Sequence, residues 1–380
     1  MTVAVIGGGP AGAAAALVLA KAGVAVALLE RAGDGQQNQN AWKIGEGLPP
    51  LARPLLHQLG VWERFAADGH LPSYGNCAAW GAAQLMDHSF LFDPHGHGWH
   101  LDRWRFDSLL RAAAIDAGAV VDCGARVVGC ERDATEWRLG LVTAQAGQRH
   151  LAARFVVDAS GRASWFARRQ SAQRINADGL VGLVALLSPP PAAPDAACTE
   201  KPAGKIDRDS LTMVEAVEDG WWYAALLADG NLVAAYLSDG DLTATKAART
   251  GEGWLRLLGQ TIHLSRRVAA HGYSIARGPR IVSANSSRLD CVAGTGWVAV
   301  GDAAMAYDPL SSQGILAALE TGAAAAAAIH AYLQGDGSRL LHYEQSINER
   351  WMIYLNSLRF FYAQERRWPG SNFWQRRLAL

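Results

Sequence analysis

Six residues near the start of the chain carry its most specific chemistry. Gly7-Gly8-Gly9-Pro10-Ala11-Gly12 fits the spacing GxGxxG, after a short β run at 2–6 and before an alanine-rich helical stretch at 13–22. In that setting Gly7 permits a tight turn, Gly9 lets backbone approach a pyrophosphate, and Gly12 lets helix pack on strand. The helix start that follows Pro10, from Ala11 onward, offers unpaired N–H groups to an anion. A second β run at 24–30 ends in Glu30, 18 residues beyond Gly12, where a carboxylate can accept from ribose hydroxyls. The chemistry this implies is dinucleotide binding. A glycine turn in a nucleotide-free unit would leave both the anion site and the acid without use.

Two later segments select FAD over a nicotinamide dinucleotide. Phe155-Val156-Val157-Asp158-Ala159-Ser160-Gly161-Arg162 reads as a strand that stops at a small-residue turn. Trp297-Val298-Ala299-Val300-Gly301-Asp302-Ala303-Ala304 reads as another strand, whose Gly-Asp precedes a loop and a long helix at about 313–333. Asp302 is placed to bond a ribityl hydroxyl, and the helix start near Ser312–Ile315 to hold a flavin phosphate or pyrimidine carbonyl.

One chain with these three elements resembles the FAD monooxygenases of the p-hydroxybenzoate hydroxylase fold, motif by motif over about residues 1–330. The resemblance implies an α/β fold: a Rossmann-like FAD-binding domain, of the p-hydroxybenzoate hydroxylase and glutathione reductase type, with an inserted antiparallel-sheet substrate domain and a helical C-terminal tail. It implies cofactor contacts at Gly7, Gly9, Pro10, Ala11, Gly12, Glu30 and Arg31, and at Val127, Ala159, Gly161, Gly301 and Asp302.

Three segments narrow the resemblance to the flavin-dependent tryptophan halogenases and their halogenase-like relatives. Lys43-Ile44-Gly45-Glu46-Gly47-Leu48-Pro49-Pro50 is similar to their Gly-Glu-x-x-x-Pro segment. Asp308-Pro309-Leu310-Ser311-Ser312-Gln313-Gly314-Ile315 is similar to their isoalloxazine loop. Trp99–Asp107 resembles the segment whose arginine approaches FAD, a role that falls on Arg103. This adds Lys43, Glu46, Arg103, Pro309, Ser312, Gln313, Gly314 and Ile315 to the implied cofactor contacts. It places Trp80, Trp221, Tyr223 and Tyr307 in the substrate pocket. Glu46 is the candidate general base, against a structural role in capping a loop.

Departures from the halogenases matter. Where they carry Trp-x-Trp-x-Ile-Pro, this chain has Gly220-Trp221-Trp222-Tyr223-Ala224-Ala225-Leu226. Their essential lysine has no counterpart, since residues 70–92 contain none. What remains, including Trp80-Gly81 and Arg367-Trp368-Pro369, is similar to the halogenase-like flavoproteins that mature cysteine tryptophylquinone enzymes. That resemblance implies a monooxygenase that hydroxylates an electron-rich ring through a flavin C4a-hydroperoxide. The ring belongs to an aromatic small molecule or to a tryptophan-containing polypeptide. Electrons come from NAD(P)H, directly or through a flavin reductase. Two other readings are a reductase of carbon–carbon double bonds, similar to prenyl reductases, and a non-enzymatic flavoprotein maturation chaperone.

The elements that must position these residues follow from pattern. The FAD-binding domain is expected at 1–70, 102–170 and 286–335, and the substrate sheet at 71–101 and 171–285. A helical C-terminal segment is expected at 336–380. Helical spacing runs over 50–59 and 104–117, the latter with Asp102 as N-cap and Gly118 at its end. Short strands are expected at 119–130, 135–143 and 153–158. Others are expected at 180–187, 211–217, 221–228 and 231–237, with Asp229-Gly230 as a hairpin turn. Residues 33–45 and 188–210 read as exposed connections. The tail reads as a helix covering the flavin domain, or as a dock for a protein substrate.

Bulk properties exclude other classes. Lys+Arg and Asp+Glu are both 35, so no charge excess argues for nucleic acid or an anionic membrane. The apolar start lacks a basic n-region and is broken by the glycine loop, so it is not expected to be a signal peptide. Ala323–Ala328 reads as an alanine-rich helix rather than a membrane span. Five widely spaced cysteines, Cys77, Cys123, Cys130, Cys198 and Cys291, form no CxxC and fit reduced thiols in a cytoplasmic protein. His95, His97 and His100 crowd one loop, but as packing or surface residues rather than metal ligands.

Overall fold

The computed structural model describes residues 1–33, 43–143, 147–191 and 206–379. Much of both expected connections, with Cys198, lies outside the described residues. The apolar start builds the centre of a six-stranded sheet. Val3–Ile6 pairs in parallel with Val26–Glu30 on one side and Phe155–Asp158 on the other. Val120–Cys123 and Trp297–Ala299 extend it in parallel, and Ala293–Gly294 closes one edge antiparallel. The helix Pro10–Lys21 covers this sheet and is buried along almost its whole length, which its alanines allow.

The expected strand at 119–130 is two strands. Gly124, at φ +86, breaks it. Val120–Cys123 joins the parallel sheet, while Arg126–Arg132 joins Trp137–Thr143 and Gly147–Ala153 in a separate antiparallel sheet.

A second large sheet has seven strands, in the order Ser274–Ser283, Leu180–Ser188, Leu232–Asp239, Gly220–Leu226, Thr212–Val217, Gly75–Ala79 and Met86–Ser89. All its pairs are antiparallel except Thr212–Val217 with Gly75–Ala79. Its central strands are near-continuous apolar runs because both faces are covered. One face, with Trp221, Ala235 and Leu237, packs into the main core. The other, with Trp222, Ala224 and Tyr236, packs on Trp254 and Leu258 of the helix Gly251–Leu258. The sequence reading anticipated neither that helix, nor its neighbours Thr243–Ala247 and His263–His271, nor the edge strand Ser274–Ser283.

The helix Gly314–Leu333 is long and apolar enough to cross a membrane, yet more than half of it is buried against the protein. It lies on the helix Pro10–Lys21, where a Cβ at Gly322 would fall 2.2 Å from the Ala11 carbonyl oxygen. The tail forms the helices Ser338–Tyr362 and Asn372–Leu378. It covers more than the flavin domain: Trp374 donates to Val217 O at 3.1 Å, and Arg377 pairs with Asp239 at 2.6 Å, both on the seven-stranded sheet.

Candidate flavin site

The glycine turn is built as its spacing requires. Gly7 has φ +110, and a Cβ there would lie 2.3 Å from the Ala159 carbonyl oxygen. A Cβ at Gly12 would lie 1.9 Å from the Gly7 carbonyl oxygen. At Gly9 a Cβ would meet nothing within 4 Å, so the chain leaves open space where a pyrophosphate would sit. Gly9 is also the N-cap of a helix that begins at Pro10 and Ala11 with no side-chain cap, leaving first-turn N–H groups for an anion.

Glu30 does more than sequence suggests. Its Oε2 accepts from Gly8 N at 2.6 Å and its Oε1 from Ala32 N at 2.8 Å, so the carboxylate fixes the loop. Arg31 follows it, exposed. Ala125 N donates to Glu30 O at 3.0 Å, which brings the buried Val127 close to the same strand end. Arg111, which sequence reasoning missed, donates to Gly8 O at 3.2 Å from beneath the turn.

The Ala159–Gly161 turn is held by Asp158. This fully buried carboxylate accepts from Ser160 N, Phe166 N and Ala167 N. Gly301, at φ +56, donates its N–H to Thr321 Oγ1 at 2.9 Å and sits against Ala11. The three elements named from sequence therefore meet at one end of the parallel sheet.

Beside them opens a cavity of about 340 Å³ between the flavin half and the seven-stranded sheet. Ile44–Gly47 form one wall. Asp302, Tyr307, Pro309 and Ser312–Ile315 form a second, and Val184, Tyr223, Ala235, Leu237 and Val282 form the third. Pro309, Ser312, Gln313 and Gly314 are exposed, while Ile315 is buried at the start of the long helix, which has no side-chain cap.

Three carboxyl groups line this cavity, and burial pushes each above the ordinary range. Glu46 is 2% exposed. Its Oε2 accepts from Gly45 N at 2.9 Å, and its Oε1 has no hydrogen bond of good geometry. Desolvation raises its pKa, and the Tyr223 hydroxyl, Gly45 N–H and Arg103 work against that rise. The Tyr223 phenol is pushed well up by burial and by Glu46. Asp302 is raised by desolvation against Arg162, Arg174 and Arg103. Its side chain is 37% accessible, the openness of a recessed wall rather than of a packed core, and Arg162 Nε lies 3.6 Å away. Asp308 is 1% exposed and pushed up to about 7, by burial first and then by Asp178.

Arg103 holds this wall in place. Its Nη1 donates to Ile44 O at 3.0 Å and Gly45 O at 2.9 Å. Lys43 lies over the Trp104 ring and pairs with Asp107 at 2.8 Å, and Arg103 pairs with the same carboxylate. Asp107 is thus a shared buried counter-ion that sequence reasoning did not single out. Arg162 is another such residue, donating to Asn285 O and Tyr307 O.

Two expected pocket residues lie elsewhere. Trp221 shares a sheet face with Tyr223 but is fully buried, its Nε1 donating to Tyr362 Oη at 3.1 Å. Trp80 packs edge-on to Trp221, Tyr362 and Trp374, and donates to Phe361 O at 2.8 Å. The C-terminal helices seal both away from the cavity. Tyr223 and Tyr307 do line it. The loop histidines separate: His100 is buried between Leu226 O and Thr212 Oγ1, its pKa pushed down to about 4 by burial, while His97 contacts Tyr74 and Trp99. Burial pushes the Cys77 thiol up to about 12, as for an inert core cysteine.

Residues 1–200 match the family described as FAD binding domain. The chain belongs to that family. It is similar to LodB of Marinomonas mediterranea, a FAD-dependent oxidoreductase by name, with 29% identity covering 99% of this chain and 96% of LodB. Its fold matches the myxobacterial chondrochloren halogenase CndH, a FAD-dependent halogenase, with TM-score 0.85 and 23% identity, covering 99% of this chain and 85% of CndH. It also matches QhpG, a peptidyl tryptophan dihydroxylase essential for tryptophylquinone cofactor biogenesis, with TM-score 0.76 and 25% identity, covering 99% and 78%. The protein is a flavin-dependent oxidoreductase with the α/β fold of the halogenase and hydroxylase group.

Proposed function

We propose that this protein is a cytoplasmic FAD-dependent monooxygenase that hydroxylates an electron-rich aromatic ring, with a tryptophan side chain of a polypeptide as its substrate class. The observation that carries the reading is the cavity between the loop at 309–315 and the seven-stranded sheet. Its sheet wall sets Val184, Ala235, Leu237 and Val282 beside Tyr223, Arg280 and Ser283, and Glu46 stands in the facing wall, its Oε1 without a hydrogen bond of good geometry. Reduced FAD supplies the electrons that activate O₂, itself reduced by NAD(P)H directly or through a flavin reductase. One oxygen atom ends on the ring and the other leaves as water. NAD(P)H provides two electrons and a proton, and solvent a second proton.

The chain's own residues supply the setting. The glycine turn and Glu30 hold the dinucleotide end. Arg103, tied to Ile44 and Gly45, fixes the wall that carries Glu46. Val184, Ala235, Leu237 and Val282 keep water from the reacting ring. Glu46, with its raised pKa, takes the ring proton. Halogenation is disfavoured because residues 70–92 offer no ammonium, and Trp80 in that stretch is committed to the C-terminal helices. The likeness to QhpG supports the tryptophan side chain as target.

The test is turnover of FAD-loaded protein with NAD(P)H, a flavin reductase, ¹⁸O₂ and tryptophan-containing peptides, followed by mass spectrometry. Gain of labelled oxygen on the indole is expected. Chloride or bromide incorporation, or reductant-driven turnover of an alkene without O₂, would replace this reading with another.

A further inference from the structure

The residue that opens the 309–315 loop is gripped from the far side by the C-terminal helix. Asp308 Oδ2 accepts from Tyr362 Oη at 2.7 Å, and Oδ1 accepts from Leu310 N at 2.8 Å. The Asp308 N–H donates to Tyr354 Oη at 2.7 Å, so two tyrosines about two turns apart on one helix hold one residue. Ser311 donates its N–H and its hydroxyl back to Asp308 O, and Ser312 then turns through φ +51 into the long helix. The position of Asp308 therefore sets where the exposed Ser312 and Gln313 stand in the cavity wall.

The bonds have a fixed direction. Trp221 Nε1 is a donor only and gives its proton to Tyr362 Oη. The Tyr362 hydroxyl proton is then free to point at Asp308. We propose that Tyr362 is a positioning residue for the flavin, acting through Asp308 to hold the loop that faces the isoalloxazine ring. The inference rests on assigning residues 309–315 to the flavin ring, and not on the reaction proposed above.

The surroundings make this grip sensitive to pH. Asp308 has no ion-pair partner among the described residues. From the C-terminal helix it meets Tyr354 and Tyr362. Asp178, which accepts from Leu180 N and Ser286 N, adds a second negative charge. Arg377 bears on it from the last helix, across the Tyr362 ring at 5.7 Å, but is itself paired with Asp239. Burial and Asp178 raise the Asp308 pKa to about 7, against the bonds from Leu310 and Tyr362 and the charge of Arg377. Above that pH Tyr362 donates to a carboxylate. Below it the bond is to a neutral acid and is weaker by about half.

The experiment follows the visible spectrum of protein-bound FAD, and FAD release, from about pH 5.5 to pH 8.5 in the full chain. In the native protein a spectral step near pH 7 is expected. Asp308→Asn removes the step. Tyr362→Phe, which keeps the ring among Trp80, Phe373 and Trp374, moves the step to higher pH and weakens FAD retention about tenfold, the scale of one hydrogen bond to a charged group. A native spectrum flat across this range, or a Tyr362→Phe protein with native midpoint and native retention, overturns the proposal. Should Asp308→Asn fail to fold, Tyr362→Phe decides alone. These readouts need no substrate, so loss of peptide hydroxylation with an intact spectral step would count against the proposed function and not against this inference.

Discussion

Glu46 and Tyr223 face one another across the cavity, 177 residues apart in the chain, and each shifts the other's acidity. Burial makes the Glu46 carboxyl reluctant to ionise, and the Tyr223 hydroxyl is the leading group that eases it. Burial thus raises the Glu46 pKa above the ordinary carboxylate value, and the Tyr223 hydroxyl holds part of that rise back. A raised pKa is the property a base serving an aromatic ring needs.

Removing the Tyr223 hydroxyl should therefore push Glu46 further up. In Tyr223→Phe the acid limb of the kcat/KM profile is expected to move to higher pH, with the plateau largely kept. Glu46→Gln should lower the plateau by about 10²-fold to 10⁴-fold, the range for loss of a positioned base. An acid limb that stays in place in Tyr223→Phe would show that Glu46 does not govern it.

The same shift carries a stability consequence. The folded-state pKa of Glu46 is raised, so its ionisation favours the unfolded chain. The stability it contributes is fully present below the unfolded value of about 4.3 and is lost as pH rises through the higher folded value. Glu46→Gln should thus gain thermal stability relative to the native protein as pH rises from about 5 to 8. The difference in Tm between the two apo proteins, measured across that range, checks the sign. A difference that stays constant would mean Glu46 ionises at no cost, and one that shrinks towards pH 8 would mean its folded-state pKa is lowered instead.

How much of this was legible in the sequence depended on distance along the chain. The glycine turn was legible because Gly7, Gly9, Gly12 and Glu30 sit within one strand–helix–strand unit whose geometry admits few residues. The Asp102 cap was legible for the same local reason, and its side chain does accept from Trp104 N and Arg105 N. Trp221 was misplaced because alternation along a strand fixes the face and not what covers it. Tyr362, contributed by a helix 141 residues later, covers it. The edge strand Ser274–Ser283 was missed because it is largely exposed and its register slips twice against Leu180–Ser188, which blurs the two-residue period. Asp308 was quoted as part of a motif, but its grip by Tyr354 and Tyr362 is visible only once the C-terminal helix is in place.

Gly9 and Gly12 should fail differently. Gly9→Val places its side chain where the protein has nothing within 4 Å and where the backbone, at φ −75, accepts any residue. The variant is expected to fold with a native Tm as apoprotein and to lose FAD. Gly12→Ala puts a methyl 1.9 Å from the Gly7 carbonyl oxygen, so the turn itself must shift. It should lose FAD and also about 1–3 kcal/mol of stability, as overpacked sites do. Absorbance of the purified proteins and apoprotein melting separate the two. A Gly9→Val protein that keeps its flavin would move the pyrophosphate away from this turn.

Asp107 is the hidden support of the Glu46 wall. It is 1% exposed and carries both Lys43 and Arg103, the latter also fixing Ile44 and Gly45. Asp107→Asn leaves two cations facing one neutral amide that can accept from only part of the same set. The cost should be about 1–3 kcal/mol, below that of breaking a fully buried pair, because both cations keep some contact with solvent. The freed Arg103 should let the 44–47 wall move, so KM for FAD should rise by more than the stability loss explains. Asp102→Ala makes the comparison, since it removes the cap of the same helix without touching Lys43 or Arg103. If the two variants bind FAD equally well, Asp107 stabilises the helix and does not position the site.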